Sequence, residues 1–202
     1  MIQGIDVSHH NGAIDWPTLS TSPVRFVFLK ATEGLDYVDP TFESNLSAAL
    51  GSGLVVGAYH FFHPNADPLR QASHFLSTFD NRAEIMTALD VEWTGTPNEW
   101  DAVNLAESCR NVRAFLDAVK MRTGRLPFLY FSPAFATQYL NMLPMADIKT
   151  WVAKYGDTPP AHYAVWQYSE KGTVPGIEGS GVDLDRFEGT FEELQALAGV
   201  SI

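Results

Sequence analysis

The segment MTALDVEW (Met86–Trp93) begins like a buried strand and ends in two carboxylates. The largely apolar run from Met86 to Leu89 is typical of the middle of a strand, whereas Asp90 and Glu92 follow it one residue apart. Burying charged groups at the end of a strand is costly unless they are paired or used. The segment therefore predicts a strand whose C-terminal end has a chemical role.

The same pattern recurs outward from this segment, with helical stretches between the strands. The predicted strands are Ile2–Val7, Arg25–Ala31, Leu54–Phe62, Glu84–Glu92, Pro127–Ser132, Lys149–Ala153, Tyr163–Gln167 and Gly181–Phe187. The predicted helices are Pro40–Gly51, Pro68–Phe79, Glu99–Arg122, Ala134–Leu140 and Phe191–Leu197. Such alternation favours parallel strands. Eight strands in 202 residues predict an α/β fold, an irregular TIM-like β/α barrel with few helices around its last three strands. An open doubly wound sheet is the alternative that this pattern leaves.

The polar residues of the chain gather where the predicted strands end. They are Asp6, Ser8, His9, His10, Lys30, Glu33, Tyr59, His60, His63, Asp90, Glu92, Tyr130, Ser132, Trp151, Tyr155, Gln167, Tyr168, Asp183 and Asp185. In a parallel α/β barrel the C-terminal strand ends meet at one mouth, where active sites lie. The pattern therefore predicts a cleft lined by acids and aromatic rings.

Asp90 and Glu92 are predicted to face this mouth together. Residues two apart in a strand point to the same face and are about 6.6 Å apart along it. Two nearby carboxylates resist ionising together, so that one of them keeps a proton near neutral pH. An acid beside a base is the equipment for cleaving glycosidic bonds, and the spacing is compatible with either a retaining or an inverting enzyme.

The composition of the chain narrows the classes of partner. The formal net charge of −11 argues against nucleic acid and against anionic membrane surfaces as partners, whereas neutral sugars are compatible with it. At 46% hydrophobic and 12% aromatic residues, the chain can build a sizeable core. We expect one catalytic domain over residues 1–202, because the sequence shows neither a linker nor an internal repeat.

The N-terminus and the single cysteine add two expectations. The stretch MIQGIDVSHHNG lacks the basic and apolar regions of a signal peptide, and no apolar run is long enough for a membrane span. Cys109 lies on an apolar helical stripe with Leu105, Val112, Leu116 and Val119, which predicts a core residue and not a reactive thiol.

Eight segments, in this order, resemble the signature segments of a known family. They are GIDVSHHNGAIDW, FVFLKATEG, GAYHFFHP, ALDVEW, LYFS, WVAKYG, AVWQYS and VDLDRFEG. The family is glycoside hydrolase family 25, the Ch-type lysozymes or N-acetylmuramidases, and the resemblance runs from about Gly4 to Phe187. It implies an irregular β/α barrel that hydrolyses the β-1,4 bond between N-acetylmuramic acid and N-acetylglucosamine in peptidoglycan.

The resemblance also implies roles for individual residues. Glu92 matches the general acid, and Asp90 matches the carboxylate that orients the 2-acetamido group of the substrate or stabilises the transition state. Asp6 and Asp183 match two further acids at the base of the cleft, which complete the predicted catalytic set. The predicted substrate-binding residues are Tyr59, Tyr130, Glu33, Lys30, Trp151 and Gln167, of which Lys30 and Glu33 are expected just outside the reacting groups.

Further expectations follow from the same resemblance. The reaction is expected to proceed with retention by substrate assistance, with inversion by direct attack of water as the competing route. Asp185 occupies a place where many relatives have Asn, which is expected to add one acid near the rim. The partner is the bacterial peptidoglycan strand, with no cofactor or metal, and the protein is expected to be a monomer. Without a signal peptide, it is expected to reach the cell wall after release or by non-Sec export, as a phage endolysin or a secreted bacterial enzyme.

Two other readings of the residues stay open. A metal-dependent hydrolase could use Asp6 with His9, His10, His60 and His63, although adjacent histidines in a strand point to opposite faces unless the chain turns, as Asn11-Gly12 suggests here. A non-catalytic sugar-binding barrel would also use acids and rings. The presence of both Asp90 and Glu92 argues against that reading.

Overall fold

Eight strands close into a barrel, and a ninth short strand pairs with one of them. The structure is a computed structural model that describes residues 1–79, 84–95, 97–179 and 181–199. Its strands are β1 (Ile2–Val7), β2 (Val24–Glu33), β3 (Tyr37–Val38), β4 (Val55–Phe61), β5 (Met86–Asp90), β6 (Phe128–Phe131), β7 (Thr150–Ala153), β8 (Val165–Gly172) and β9 (Val182–Phe187). The ring runs β1-β9-β8-β7-β6-β5-β4-β2, and the pairing of β1 with β2 closes it. The predicted barrel is confirmed, and the open sheet is wrong.

The helices are concentrated in the first two thirds of the chain. They are α1 (Trp16–Ser20), α2 (Phe42–Gly51), α3 (Pro68–Ser77), α4 (Leu105–Thr123), α5 (Pro133–Tyr139) and α6 (Phe191–Ala198). No helix lies between β7 and β8, and the described part of the β8–β9 connection has none, as predicted for the last strands. None of the helices in the described residues is long and apolar enough to cross a membrane.

One sequence prediction about these elements is wrong in detail, and two elements were not predicted. The predicted helix Glu99–Arg122 is a single 3₁₀ turn, Glu99–Ala102, followed by α4. The break has a local cause, because the Asn104 side chain accepts hydrogen bonds from two backbone N–H groups of the first helical turn and so starts a new helix. The segments α1 and β3 were not predicted.

The direction of the last strand also differs from the prediction. β9 runs antiparallel to both of its neighbours, β1 and β8, whereas the other pairings in the ring are parallel. Asp183 is therefore at the beginning of its strand and not at a C-terminal end. It still reaches the mouth, because antiparallel pairing places it opposite Asp6 at the end of β1.

The interior of the barrel is filled with aromatic side chains up to the level of the mouth. Phe26, Phe28, Phe128 and Trp151 form one buried cluster, in which the rings of Phe28 and Trp151 stack with centroids 4.5 Å apart. Gly4 and Gly57 leave room for these rings, because a Cβ atom at either position would lie within 2.3 Å of Phe26 or Phe28. Leu194 and Ala198 of α6 pack against the same cluster. The interior of the barrel is thus a packed core, and a cavity lies above it at the end where β1 and β5 finish.

A second buried cluster lies between the outside of the barrel and the helices. It contains Cys109, which is 4% exposed and whose thiol donates to the backbone oxygen of Tyr139. The prediction that this cysteine is a core residue is confirmed.

Candidate active site

A cavity of about 230 Å³ opens at the mouth of the barrel. Its lining residues come from seven strands and the loops that follow them: Asp6, Tyr59, Asp90, Glu92, Tyr130, Trp151, Tyr155, Gln167, Glu170 and Asp183. The four acids predicted to be catalytic are all present, and so are four of the six residues predicted to bind substrate. The cavity wall is polar and acidic above an aromatic floor.

Strand register explains why these residues meet. Side chains alternate along each strand, so that Tyr59 and Tyr130 continue the inward rows of β4 and β6. Asp90 pairs with Tyr130 across β5 and β6, and Asp6 pairs with Asp183 across β1 and β9. β5 ends at Asp90, and Glu92 follows it in the chain and reaches the same cavity.

Burial changes the acidity of the Asp90–Glu92 pair. It raises the pKa of Glu92 to about 7, with the charge of Asp183 adding to the effect and that of Lys30 opposing it. Burial raises the pKa of Asp90 well above its usual value, and the charge of Glu92 raises it further. The pair therefore keeps at least one proton near neutral pH, which is what a general acid requires.

The two members of this pair differ in their surroundings. Asp90 is 6% exposed, and its Oδ1 atom is buried with no hydrogen-bond donor among the described residues. Glu92 is only partly buried and lines the same cavity. A buried carboxylate oxygen without a donor is costly, and a donor supplied by a bound substrate would remove that cost.

Gln167 connects one wall of the cavity to Asp6. Its Oε1 atom accepts hydrogen bonds from the hydroxyls of Tyr130 and Tyr155, at 3.0 and 3.2 Å. Its Nε2 atom donates to Oδ2 of Asp6 at 2.8 Å. Both ends of the amide are used, so that Gln167 fixes the position of Asp6 and of two tyrosines at once.

The sequence predicted Asp185 near the rim of the cavity. In the structure it lies beneath the cavity floor. Its side chain is fully buried, and Oδ1 accepts a hydrogen bond from the indole N–H of Trp151 at 2.8 Å. The antiparallel direction of β9 is the reason, because Asp185 lies two residues deeper in the barrel than Asp183.

Comparison with known proteins agrees with this arrangement. The profile described as "Glycosyl hydrolases family 25" matches residues 5–177. The chain belongs to glycosyl hydrolase family 25. It is 36% identical to "Uncharacterized protein YegX" of Escherichia coli K12, over 96% of this chain and 72% of that protein. It is 33% identical to "Lysozyme M1" of Streptomyces globisporus, over 98% of this chain and 71% of that protein.

Solved structures show the same relation. The bacterial lysozyme of Streptomyces coelicolor superposes with a TM-score of 0.92 and 31% identity, and the match covers 99% of this chain and 98% of that chain. The family resemblance read from the sequence is confirmed, and with it the assignment of this chain as a glycoside hydrolase of the lysozyme family.

Lys30 and Glu33 of this family 25 chain lie beside the cavity and do not line it. Lys30 Nζ contacts Glu33 Oε2 at 2.6 Å, and the other oxygen of Glu33 contacts His63 Nε2 at 3.1 Å. The ammonium group also lies 5.1 Å from the centre of the Phe61 ring, which holds it in place. Lys30 thus acts on the acids through its charge.

Removing the charge of Lys30 should shift the pH dependence of the family 25 activity. Lys30 lowers the pKa of Glu92, so that Lys30→Met raises this pKa above about 7. Turnover that needs protonated Glu92 should then persist to higher pH, and the alkaline limb of the pH–rate profile should move up. The control is Lys120→Met, which removes an exposed lysine of α4. An alkaline limb that does not move in Lys30→Met would show that Lys30 does not act on the acid.

The four histidines considered as metal ligands do not meet at one point: His9 and His10 lie together, with ring centroids 3.9 Å apart, and the other two have partners of their own. His60 is buried between β4 and α3, where it contacts Thr32 and Gln71, and burial lowers its pKa to about 3. His63 contacts Glu33 and Glu99, and His9 contacts Asp39. Within residues 1–79, 84–95, 97–179 and 181–199, no three His, Cys, Asp or Glu side chains form a group that could hold a metal ion.

Glu170 lines the cavity but was not predicted, and Tyr155 was predicted at the mouth but not among the substrate-binding residues. Tyr155 follows β7, and Glu170 lies on β8, which continues to Gly172 and not only to the predicted end at Gln167. Strict alternation would place Glu170 on the face opposite Gln167, and Glu170 reaches the cavity where the register of β8 with β9 shifts after Gln167. Trp93 is 44% exposed and packs edge-on against Phe135, whereas Trp151 is buried and forms part of the cavity floor.

Proposed function

We propose that this chain is an N-acetylmuramidase that cleaves the β-1,4 bond between N-acetylmuramic acid and N-acetylglucosamine in peptidoglycan. The observation that supports it most is the Asp90–Glu92 pair in an open, acid-lined cavity, with the pKa of Glu92 raised to about 7. This is the acidity that a carboxylic acid needs to donate a proton near neutral pH.

Glu92 supplies the proton in the first step. It donates to the glycosidic oxygen as the bond from that oxygen to the anomeric carbon breaks, so that the leaving sugar departs as an alcohol. Glu92 is left as a carboxylate and then takes a proton from the water that attacks the anomeric carbon. The same group thus acts as acid and then as base, and its proton is restored at the end of the cycle.

Asp90 supports the acetamido group of the muramic acid. In the substrate-assisted route, the acetamido carbonyl oxygen attacks the anomeric carbon and forms a cyclic intermediate, while the acetamido N–H becomes more acidic. The buried Oδ1 of Asp90, which has no donor among the described residues, is the acceptor offered to this N–H. Accepting a hydrogen bond from this N–H favours the ionised form of Asp90, and the negative charge of Asp90 stabilises the positive charge of the intermediate.

A polymeric substrate needs a cleft that continues beyond the reacting bond. A groove of about 470 Å³ adjoins the cavity and shares Tyr155 and Glu170 with it. Tyr168 forms part of this groove, and Arg186 lies 4.1 Å from the centre of its ring and holds it in place. The groove offers a path for sugars on one side of the cleaved bond.

The stereochemistry of the first product tests the substrate-assisted route. Attack by the acetamido group followed by water inverts the anomeric carbon twice, so the new reducing end should first appear as the β anomer. Proton NMR of a digest, recorded before the anomers equilibrate, measures this directly. A first product in the α configuration would exclude substrate assistance and would favour direct attack of water on the opposite face.

A further inference from the structure

The Asp185 carboxyl group beneath the cavity is only half satisfied by the protein. Its side chain is fully buried, and Oδ1 accepts the indole N–H of Trp151. Its Oδ2 atom is also buried and has no hydrogen-bond donor among the described residues. An ionised carboxylate oxygen in this position is costly unless another group donates a hydrogen bond to it.

The carboxyl of Asp6 is a group that could supply the proton for this hydrogen bond. Asp6 is on β1 and Asp185 is on the neighbouring strand β9, and the two carboxyl groups are within hydrogen-bonding contact. Two ionised carboxylates contain no proton to donate, so that this contact is a hydrogen bond only if one of the pair is protonated. Like charges buried together resist double ionisation, which acts in the same direction.

The directions of the surrounding hydrogen bonds decide where the proton lies. Tyr130 and Tyr155 donate to Gln167, and Gln167 donates to Asp6. At the other end, Trp151 donates to Asp185. The network therefore ends at Asp185, which accepts from Trp151 and can accept once more. Asp6 is the member that can pass a proton on to it.

We propose that Asp6 and Asp185 share a single proton at neutral pH, with the hydroxyl on Asp6 and the charge on Asp185. Asp185 is then a positioning residue that holds Asp6 in the floor of the cleft. The pair has one negative charge where two would otherwise repel each other and the acids above them. This sharing does not rest on the proposed function, since it follows from the contacts of the two carboxyl groups.

The charges that face the pair favour this sharing. Four acids lie at the same mouth: Asp183 on β9, Asp90 on β5, Glu92 after it and Glu170 on β8. The hydroxyls of Tyr59, Tyr130 and Tyr155 lie there too, and Lys30 is the nearby cation. Burial raises the pKa of Asp185 to about 8, and burial together with the charges of Asp185 and Asp183 raises that of Asp6. Because both pKa values are raised, the pair keeps a proton near pH 7.

Infrared spectroscopy tests the shared proton directly. In Asp185→Asn, the amide can still accept from Trp151 and can donate to Asp6, which should then be ionised. The spectrum at pH 7 should therefore lose the absorption of one protonated carboxyl group per molecule relative to the unmodified protein. Asp36→Asn, which changes an exposed carboxyl, should leave this absorption unchanged.

A second variant keeps the proposal testable if Asp185→Asn does not fold. Asp6→Asn removes the proposed proton carrier and should lose the same absorption, because the amide introduced on β1 can donate to an ionised Asp185. Retention of the full protonated-carboxyl absorption in either folded variant would overturn the proposal. Loss of it supports the shared proton whether or not the protein cleaves peptidoglycan.

The pH dependence of stability gives an independent readout. The folded chain keeps a proton that the unfolded chain releases above a carboxyl pKa of roughly 4. Stability from this pair is therefore highest at low pH and is lost as pH rises toward the folded pKa of Asp6, which burial raises well above its usual value. Asp185→Asn should reduce this decline by the equivalent of one bound proton, and an unchanged decline would contradict the proposal.

Discussion

Replacing Glu92 with glutamine is expected to lower the turnover of peptidoglycan by about 10²–10⁴-fold, the usual contribution of a general acid. Glutamine has the same shape as protonated glutamate but cannot transfer a proton to the leaving oxygen. The fold should be preserved, because Glu92 lies after the end of β5 and is only partly buried. Release of new reducing ends from purified peptidoglycan measures the loss, and thermal unfolding checks the fold.

The control for this variant is Glu188→Gln, which makes the same chemical change at an exposed position. It should retain the turnover of the unmodified protein. Near-normal turnover in Glu92→Gln would mean that another group donates the proton, and Asp183, whose pKa burial raises to about 6, would be the next candidate. An equal loss in Glu188→Gln would trace the effect to the general change of charge.

Replacing Asp90 with asparagine is expected to change activity and stability in opposite directions. Turnover should fall by about 10²–10³-fold, because the charge that stabilises the cationic transition state is removed. Both kcat and kcat/KM should fall, since this interaction is strongest in the transition state. Stability at neutral pH should rise by about 1 kcal/mol, because the folded chain no longer has to bury an ionisable carboxyl beside Glu92.

This combination separates a catalytic role for Asp90 from a structural one. Steady-state kinetics and denaturant unfolding on the same preparation give both quantities, and Asp36→Asn is the matched control at an exposed position. A variant that loses both turnover and stability would show that Asp90 mainly supports the fold. A variant that keeps its turnover would remove Asp90 from the mechanism.

Much of the barrel could be predicted from local patterns. Inward residues alternate along each strand, and the acids occur where the apolar residues stop, as in β5 with Met86, Ala88 and then Asp90. The direction of β9 could not be read in this way, because parallel and antiparallel strands share the same alternation. Its direction depends on pairing with β1 and β8, and β1 is distant from it in the chain.

Only part of the site could be predicted, because alternation shows which residues share a face of a strand but not the direction of the strand. Alternation placed Asp90 and Glu92 on one face, and the family resemblance added Asp6 and Asp183. The depth of Asp185 depends on the antiparallel direction of β9, so that the sequence suggested a rim position for a residue that lies beneath the floor. Glu170 was missed because β8 continues past its last apolar residues to Gly172.

The identity of the sugar at the newly formed reducing end tests the central claim most directly. Defined peptidoglycan is digested, its reducing ends are converted to alditols, and the fragments are identified by mass spectrometry, with the Glu92→Gln variant as a matched blank. The proposed function predicts muramic acid at the new reducing ends, in amounts that increase with time only for the active protein. Glucosamine at those ends, or no new ends at all, would contradict it.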